Sequence, residues 1–379
     1  MRILVITGTF HPEPGGPPTY LAGMLPALQA RGHEVRVITY GEGSAEGYGY
    51  PVRRISRAQP VPARLWAFSQ AALGAAHWAD VLFVQGYPFP ALPAHIVGRR
   101  PMVVKAVSDF TWEYALRHGL TRSDVIAFQR ERHPWRLRLL RAVHHRALRL
   151  ARSVIVPSEH VARLGRGWGI PPERVHVIHN AIPASDLAGA DRAQLRAELD
   201  LPGGFLLVSV GRLTAVKGVD VAINALARLP DAHLAVIGEG EQRAALEAQA
   251  AALGVAGRVH WTGYQPHDRV LAFVRAADVF VLSSQTEGLS HVLLEALSVG
   301  TPVVATAVGG NTEILTGEQN GLLVPPGDAA ALADAIARLQ QNPALRDRLA
   351  AAGQRRSVDF SWDATVDRTE ALLRAAVRR

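Results

Sequence analysis

The chain has no cysteine, and only two of its 41 basic residues are lysine, Lys105 and Lys217; the other 39 are arginine. Lack of cysteine excludes a disulfide scaffold, a thiolate zinc site, an iron–sulfur cluster and a cysteine nucleophile. No G-x-G-x-x-G follows the first strand of either half, which argues against a dinucleotide oxidoreductase. Long hydrophobic runs are also missing. The longest uncharged stretch, Val81–Gly98, contains Pro88, Pro90 and Pro93, which would break a spanning helix. The opening MRILVITGTF reads directly as a strand, with no signal-peptide pattern. The expectation is a cytoplasmic protein, attached to a membrane at most at its inner surface.

What is present is one repeated unit, an apolar strand followed by an amphipathic helix. In 379 residues, 48% hydrophobic, this suggests two domains. The first half reads as strands at Ile3–Thr7, Glu34–Tyr40, Val81–Gln85, Met102–Val107 and Val154–Pro157, with helices such as Thr19–Ala30 and Leu65–Trp78 between them. The second half reads as strands at Leu206–Val210, Leu234–Ile237, Val259–Gly263, Val279–Leu282, Pro302–Thr306 and Leu322–Val324. Runs such as LLVSV and VVAT belong to strands buried on both faces, as in parallel sheets. The predicted fold is α/β, two Rossmann-like doubly wound parallel-sheet domains facing across a cleft. The boundaries fall at 1–180, 181–360 and a C-terminal helix, 361–379, placed to pack back on the N-terminal domain. That helix reads as Phe360–Val377 with Ser361 as its cap.

Charge divides along the chain. Residues 1–180 carry 23 basic and 11 acidic side chains, a net of +12; residues 181–379 carry 18 and 22, a net of −4. Arg130–Arg152 holds eight arginines and one acid, Glu131, with Leu137, Leu140, His144, Ala147 and Ala151 at helical spacing. It reads either as a surface helix packing its apolar side on the sheet or as a peripheral contact with anionic lipid. Nucleic acid is not expected as a partner, since basic charge comes here without a recognition motif. His133, His144, His145 and His179 show no metal-ligand spacing with a carboxylate, so no metal site is expected.

Two constellations carry chemistry. The first is Glu287 to Glu295, EGLSHVLLE, which follows the strand DVFVLSS. Strand, loop and a helix opening near Leu289–Ser290 present backbone N–H groups to an anion. The two carboxylates stand roughly 10–12 Å apart along the axis, enough to bracket a diphosphate and hold sugar diols. They also read as two ordinary helix glutamates. The second is GRLTAVKG, Gly211–Gly218, after the first strand of the second half. There Arg212 and Lys217 suit a phosphate clamp, or are two solvated cations on a loop.

These pieces resemble glycosyltransferase family 4, retaining enzymes of the GT-B fold. The resemblance runs in order over residues 205–328: Gly211–Leu213 with Lys217 and Gly218, IGEG at Ile237–Gly240, VHWTGY at Val259–Tyr264, the E-x7-E pair, EALSVGTPVVAT, Gly309–Gly310 and NGLLVPPGD. PGGPPTYL, VIVPSE and VIHNAI in the first half are similar more loosely, with Ala181 where the family usually has glycine.

The resemblance implies a hexosyltransferase with assigned roles: Arg212 and Lys217 neutralise the donor diphosphate, and Glu295 holds the ribose hydroxyls. Glu287 contacts the transferred sugar beside the N–H groups of Gly288, Leu289 and Ser290. Gly15 and Gly16 let the first loop approach phosphate or acceptor, and the base lies near Gly238 and Tyr264. The substrates are a nucleotide-diphosphate sugar and a hydroxyl acceptor, a glycan, lipid-linked glycan or small molecule. No cofactor is implied. No Asp-x-Asp pair occurs, which speaks for cation rather than metal assistance. The family's histidine after an N-terminal strand is replaced by SDFTWE, which makes Asp109 either a catalytic hydrogen-bond acceptor or a helix cap. Lys105, inside the preceding strand, reads as an edge or paired residue. A GT-B sugar-nucleotide 2-epimerase and a non-catalytic sugar-nucleotide binder are the alternatives.

Overall fold

The computed structural model describes residues 1–378 apart from 14, 45, 122 and 183–185. Residues 183–185 of the predicted boundary segment and Pro14 of PGGPPTYL thus lie outside the described residues. The chain forms two compact units, Met1–Asn180 with Trp362–Arg379, and Ala181–Ser361.

The first unit contains seven parallel strands: β1 (Arg2–Thr7), β2 (Glu34–Tyr40), β3 (Val52–Ile55), β4 (Val81–Gln85), β5 (Met102–Lys105), β6 (Ser153–Val156) and β7 (Val175–Val177). Their order is β3-β2-β1-β4-β5-β6-β7. The second unit contains six: β8 (Phe205–Val210), β9 (Ala232–Ile237), β10 (Val259–Gly263), β11 (Val279–Leu282), β12 (Val303–Thr306) and β13 (Leu322–Val324), ordered β10-β9-β8-β11-β12-β13. Inner strands are mostly apolar because helices cover both faces, with buried Gln85, Lys105 and Ser209 at or near their carboxyl ends. In β8, Leu207 joins one core with Val236 and Val281, while Leu206 and Val208 join the opposite core with Ala235 and Phe280. Alternate side chains of a strand point to opposite faces, so both must be apolar.

Several expectations are corrected. Sequence reading misses β3 and β7, which are edge strands. VRRI and VHV lack a continuous apolar run because one side of each stays open, and their middle residues are half-buried or exposed. The first helix begins at Gly16, not Thr19, since Pro17 and Pro18 are tolerated in a first turn where N–H groups need no partner. The second begins at Val61 for the same reason, with Pro62 at its start. Arg130–Arg152 is not one helix. Pro134 separates Val125–Arg130 from Trp135–Leu150. Strand β5 stops at Lys105, which is neither at an edge nor paired. It is wholly buried on an inner strand, with its ammonium 4.0 Å from the Tyr20 ring centre and no hydrogen-bond partner. Burial pulls its pKa down to about 7.

The terminal helix starts at Trp362, while Ser361 bridges to Ile182. Val366, Leu373 and Ala376 enter the core formed by β1, β4 and helix Gly16–Ala30. Glu370 ties this helix down, accepting from Arg31 at 2.7 Å and meeting His33 Nε2 at 2.8 Å. Arg31 also pairs with Asp367 at 2.6 Å. Among the described residues, no helix is long and apolar enough to cross a membrane.

Candidate active site

In the second unit the chain runs from β8 outward to β10, then returns to β11 on the other side of β8. That reversal leaves a crevice at the carboxyl ends of β8 and β11, where open α/β sheets bind ligands. Both sequence constellations lie at its two sides. The loop after β8 forms a short turn, Ala215–Lys217, followed by Gly218 in the left-handed region at φ 63°. A Cβ at Gly218 would run into the Ser283 carbonyl oxygen. Ser283 Oγ donates to the Gly218 carbonyl at 2.7 Å, and the Gln285 N–H donates to Val216 at 2.8 Å. The two loops are therefore laced together by backbone.

That lacing brings Lys217 and Glu287 into contact, with Nζ 2.6 Å from Oε1 and Ser284 Oγ donating to the same oxygen at 2.7 Å. The carboxylate is 10% exposed and the lysine 32%, so the pair faces the crevice from a partly dry position. Sequence reading gave the two residues separate ligands; the structure joins them as partners. Glu287 is held from behind as well. The Gly310 N–H donates to its carbonyl at 3.2 Å, and a Cβ at Gly309, φ 52°, would collide with that carbonyl. The Gly-Gly dipeptide is a backbone seat for the glutamate loop.

Gly288, Leu289 and Ser290 lead into helix His291–Ser298. Leu289 anchors the loop in the core, and Ser290 caps the helix by accepting from the Leu293 N–H at 3.3 Å. Glu295, the fifth helical residue, is just over one turn in and almost wholly buried. Burial raises its carboxyl pKa above the ordinary value, and His267, 3.9 Å away, offsets part of that. His267 opens helix His267–Ala276 and carries no sequence signal, because it lies 28 residues before its partner. Arg212 is exposed, and among the described residues no carboxylate pairs with it. Gly238 follows β9 at φ 135°, with its N–H donating to Gly263 at 2.9 Å. Tyr264 follows β10 with its ring 59% exposed.

The first unit has its own reversal, between β1 and β4. Gly8, after β1, lies where a Cβ would touch the Tyr87 ring at 3.2 Å. Tyr87, Phe89 and Phe110 form an aromatic ledge with His144, Tyr87 and Phe110 at 5.0 Å between centroids. These aromatics come from the segment after β4 and from two helices, Phe110–Arg117 and Trp135–Leu150, and their meeting escapes sequence reading. Arg57 donates to the Gly8 carbonyl at 2.8 Å and pairs with Glu13 at 2.6 Å. Gly15, at φ 134°, is the N-cap of the first helix, and Gly16 is its first residue rather than part of the loop.

Asp109 is corrected from a candidate catalytic residue to a cap. It is fully buried. Its Oδ1 accepts from Thr111 N at 2.8 Å, Thr111 Oγ1 at 2.6 Å and Trp112 N at 3.3 Å, and its Oδ2 accepts from Trp168 Nε1 at 3.1 Å. A carboxylate so enclosed has no face left for a substrate.

Comparison with known proteins agrees with this architecture. Residues 191–356 match the family described as glycosyl transferases group 1, and residues 15–181 match a glycosyl transferase 4-like domain. The lipopolysaccharide core biosynthesis glycosyltransferase LpsE of Rhizobium meliloti is 39% identical over 211 residues, 55% of this chain and 59% of that protein. The chain thus spans less than two thirds of that relative's length. The 2-deoxystreptamine glucosyltransferase of Streptomyces kanamyceticus is 30% identical over 315 residues, 77% of this chain and 80% of that protein. Among solved structures, sucrose-phosphate synthase from Thermosynechococcus elongatus superposes with a TM-score of 0.83 at 25% identity, covering 99% of this chain and 98% of that one. Two parallel Rossmann-like sheets and two contiguous family matches place the chain among the group 1 glycosyltransferases of the GT-B fold.

Proposed function

We propose that the chain transfers a hexosyl group, with retention of anomeric configuration, from a nucleotide-diphosphate sugar to a hydroxyl acceptor, and that it does so without a metal ion or resident cofactor. The observation that carries this reading is the Lys217–Glu287 pair across the β8/β11 crevice, with unpaired Arg212 beside it in sequence and buried Glu295 behind it.

Breaking the anomeric C–O bond leaves an oxocarbenium-like sugar and a nucleoside diphosphate. Charge develops on the departing phosphate, so cations fixed nearby lower the barrier. Arg212 offers a forked donor set, and Lys217 a point charge already oriented by Glu287. The amino end of helix His291–Ser298 adds its dipole. Glu287 turns its second oxygen to sugar hydroxyls, and Glu295 accepts from the ribose diol. The base lies between the Gly238 backbone and the exposed Tyr264 ring. Attack comes from the same face as departure, and the leaving phosphate takes the acceptor's proton as the new C–O bond forms. The acceptor binds in the first unit, where Tyr87 and Phe110 offer apolar faces suited to a sugar ring.

The test is a thermal-shift panel of UDP, GDP and ADP with their hexose conjugates, run in EDTA. One base should stabilise the parent and not Glu295→Ala or Lys217→Ala, and the product's anomeric signal should match the donor's. Failure of every nucleotide to stabilise the parent, or strict need for a divalent ion, would overturn the reading.

A further inference from the structure

Helix Trp135–Leu150 is apolar on two sides, although a helix lying on a sheet needs only one. Leu137, His144, Ala147 and Leu148 are buried against the first unit. On the far side Trp135 is 68% exposed, Leu139 57%, Val143 43% and Leu150 37%. At 3.6 residues per turn these four fall within an arc of about 80°, away from the buried side. The helix carries no aspartate or glutamate and five arginines. Arg136 borders the outer stripe on one edge, Arg138 and Arg149 on the other, and Arg146 lies within it. Arg136 folds over the Trp135 ring at 5.4 Å.

A cavity of about 750 Å³ opens beside the same helix, lined by Arg132, Arg138, Arg141, His133 and His145, with Glu131 as its one carboxylate. His145 Nε2 is buried there without a hydrogen-bond partner.

We infer that this helix docks the protein on a bilayer surface bearing anionic phospholipid, with Trp135, Leu139 and Val143 entering the acyl boundary and Arg132 and Arg138 receiving headgroup phosphates. The stripe has no role in the packing of its own unit, and it is unfavourable in water. Charge complementarity selects the occupant. The helix flanks its apolar ridge with arginines and carries no carboxylate of its own, Glu131 lying just before it, the pattern of a helix lying flat in an anionic interface. A nucleic acid would use the arginines but leave Trp135, Leu139 and Val143 unaccounted for. Long arginine stems can reach up to the headgroups while the ridge sinks below them, which also accommodates Arg146. The inference stands on this surface alone and does not depend on which sugar or acceptor the enzyme uses.

Co-sedimentation with vesicles tests it, comparing phosphatidylcholine alone with phosphatidylcholine plus phosphatidylglycerol. The parent should pellet with the anionic vesicles and not with the neutral ones. The variant Trp135→Ser/Leu139→Gln/Val143→Thr should lose at least about tenfold in partitioning, since the apolar surface that enters the acyl boundary is removed. A second variant, Arg132→Gln/Arg138→Gln, should lose binding while keeping the apolar ridge. Both should keep the parent's melting temperature and nucleotide response, because these side chains are on the surface away from the crevice loops. Pelleting of neither parent nor variants, or equal pelleting of parent and ridge variant, would overturn the inference.

Discussion

The contact between Lys217 and Glu287 makes a specific claim about charge. If the lysine meets the donor diphosphate, it does so with a carboxylate at its back. A phosphate oxygen hydrogen-bonded to Lys217 Nζ would stand about 5 Å from the Glu287 carboxylate. Two like unit charges at that distance repel by about 3 kcal/mol at an effective dielectric near 20, and screening reduces this to about 1–2 kcal/mol. In the parent, Lys217 offsets that repulsion. Lys217→Ala removes the attraction and uncovers the repulsion together, an expected loss of about 2–4 kcal/mol in nucleoside diphosphate affinity. Lys217→Ala/Glu287→Gln should then bind more tightly than Lys217→Ala, recovering about 5–30-fold, the equivalent of about 1–2 kcal/mol. Calorimetric titration with the free nucleoside diphosphate is the right assay. That ligand lacks the hexose, so loss of a Glu287–sugar contact cannot mask the effect. Ser284 still has an oxygen to donate to in the glutamine variant, which keeps the loop seated. A double variant that binds no better than Lys217→Ala would show that the diphosphate does not sit on this pair.

Two further outcomes concern stability. Arg31, His33 and Arg374 hold the Glu370 carboxyl down to about 2, against an ordinary 4.5, so it favours the folded state above the unfolded-state value and loses that advantage as pH falls through the window from about 4.5 to about 2. Glu370→Gln should lower unfolding free energy by about 1–3 kcal/mol at neutral pH, measured by urea titration, and the gap to the parent should close in that acid window; a gap independent of pH would refute the assignment. Asp109→Ala orphans four donors and a helix start, an expected loss of about 2–4 kcal/mol. Nucleotide affinity of the folded protein should be unchanged, and unaltered stability with abolished turnover would restore Asp109 to the reacting centre.

How much of this was legible in the sequence depended on whether the cause was local. Runs such as LLVSV could be read as inner strands because burial on both faces demands near-continuous apolarity. VRRI and VHV could not, because an edge strand keeps polar residues. Proline obscured helix starts at Gly16 and Val61, where it is harmless. Each half of the crevice constellation announced itself by its residue types, yet nothing along the chain says that Lys217 and Glu287, 70 residues apart, are partners. That follows only from strand order, which puts β8 beside β11. His267 and the Tyr87–Phe110 ledge were invisible for the same reason. For Asp109, a carboxylate before an aromatic helix reads equally as cap or acid, and only the Trp168 indole, 59 residues away, decides it.

The terminal helix has a consequence for how this protein is made. The chain leaves the first unit after Asn180 and re-enters it at Trp362, with the whole second unit spelled out in between. During translation the second unit can close as soon as it emerges from the ribosome. The first unit cannot. Its seven strands are synthesised before the second unit, but the seat for Val366, Thr369 and Leu373, under Tyr20 and beside Lys105, stays empty until the helix from Trp362 follows that unit. The half that starts first therefore finishes last, and through that interval an apolar trough in a nascent chain stays open to whatever chaperone or neighbour reaches it.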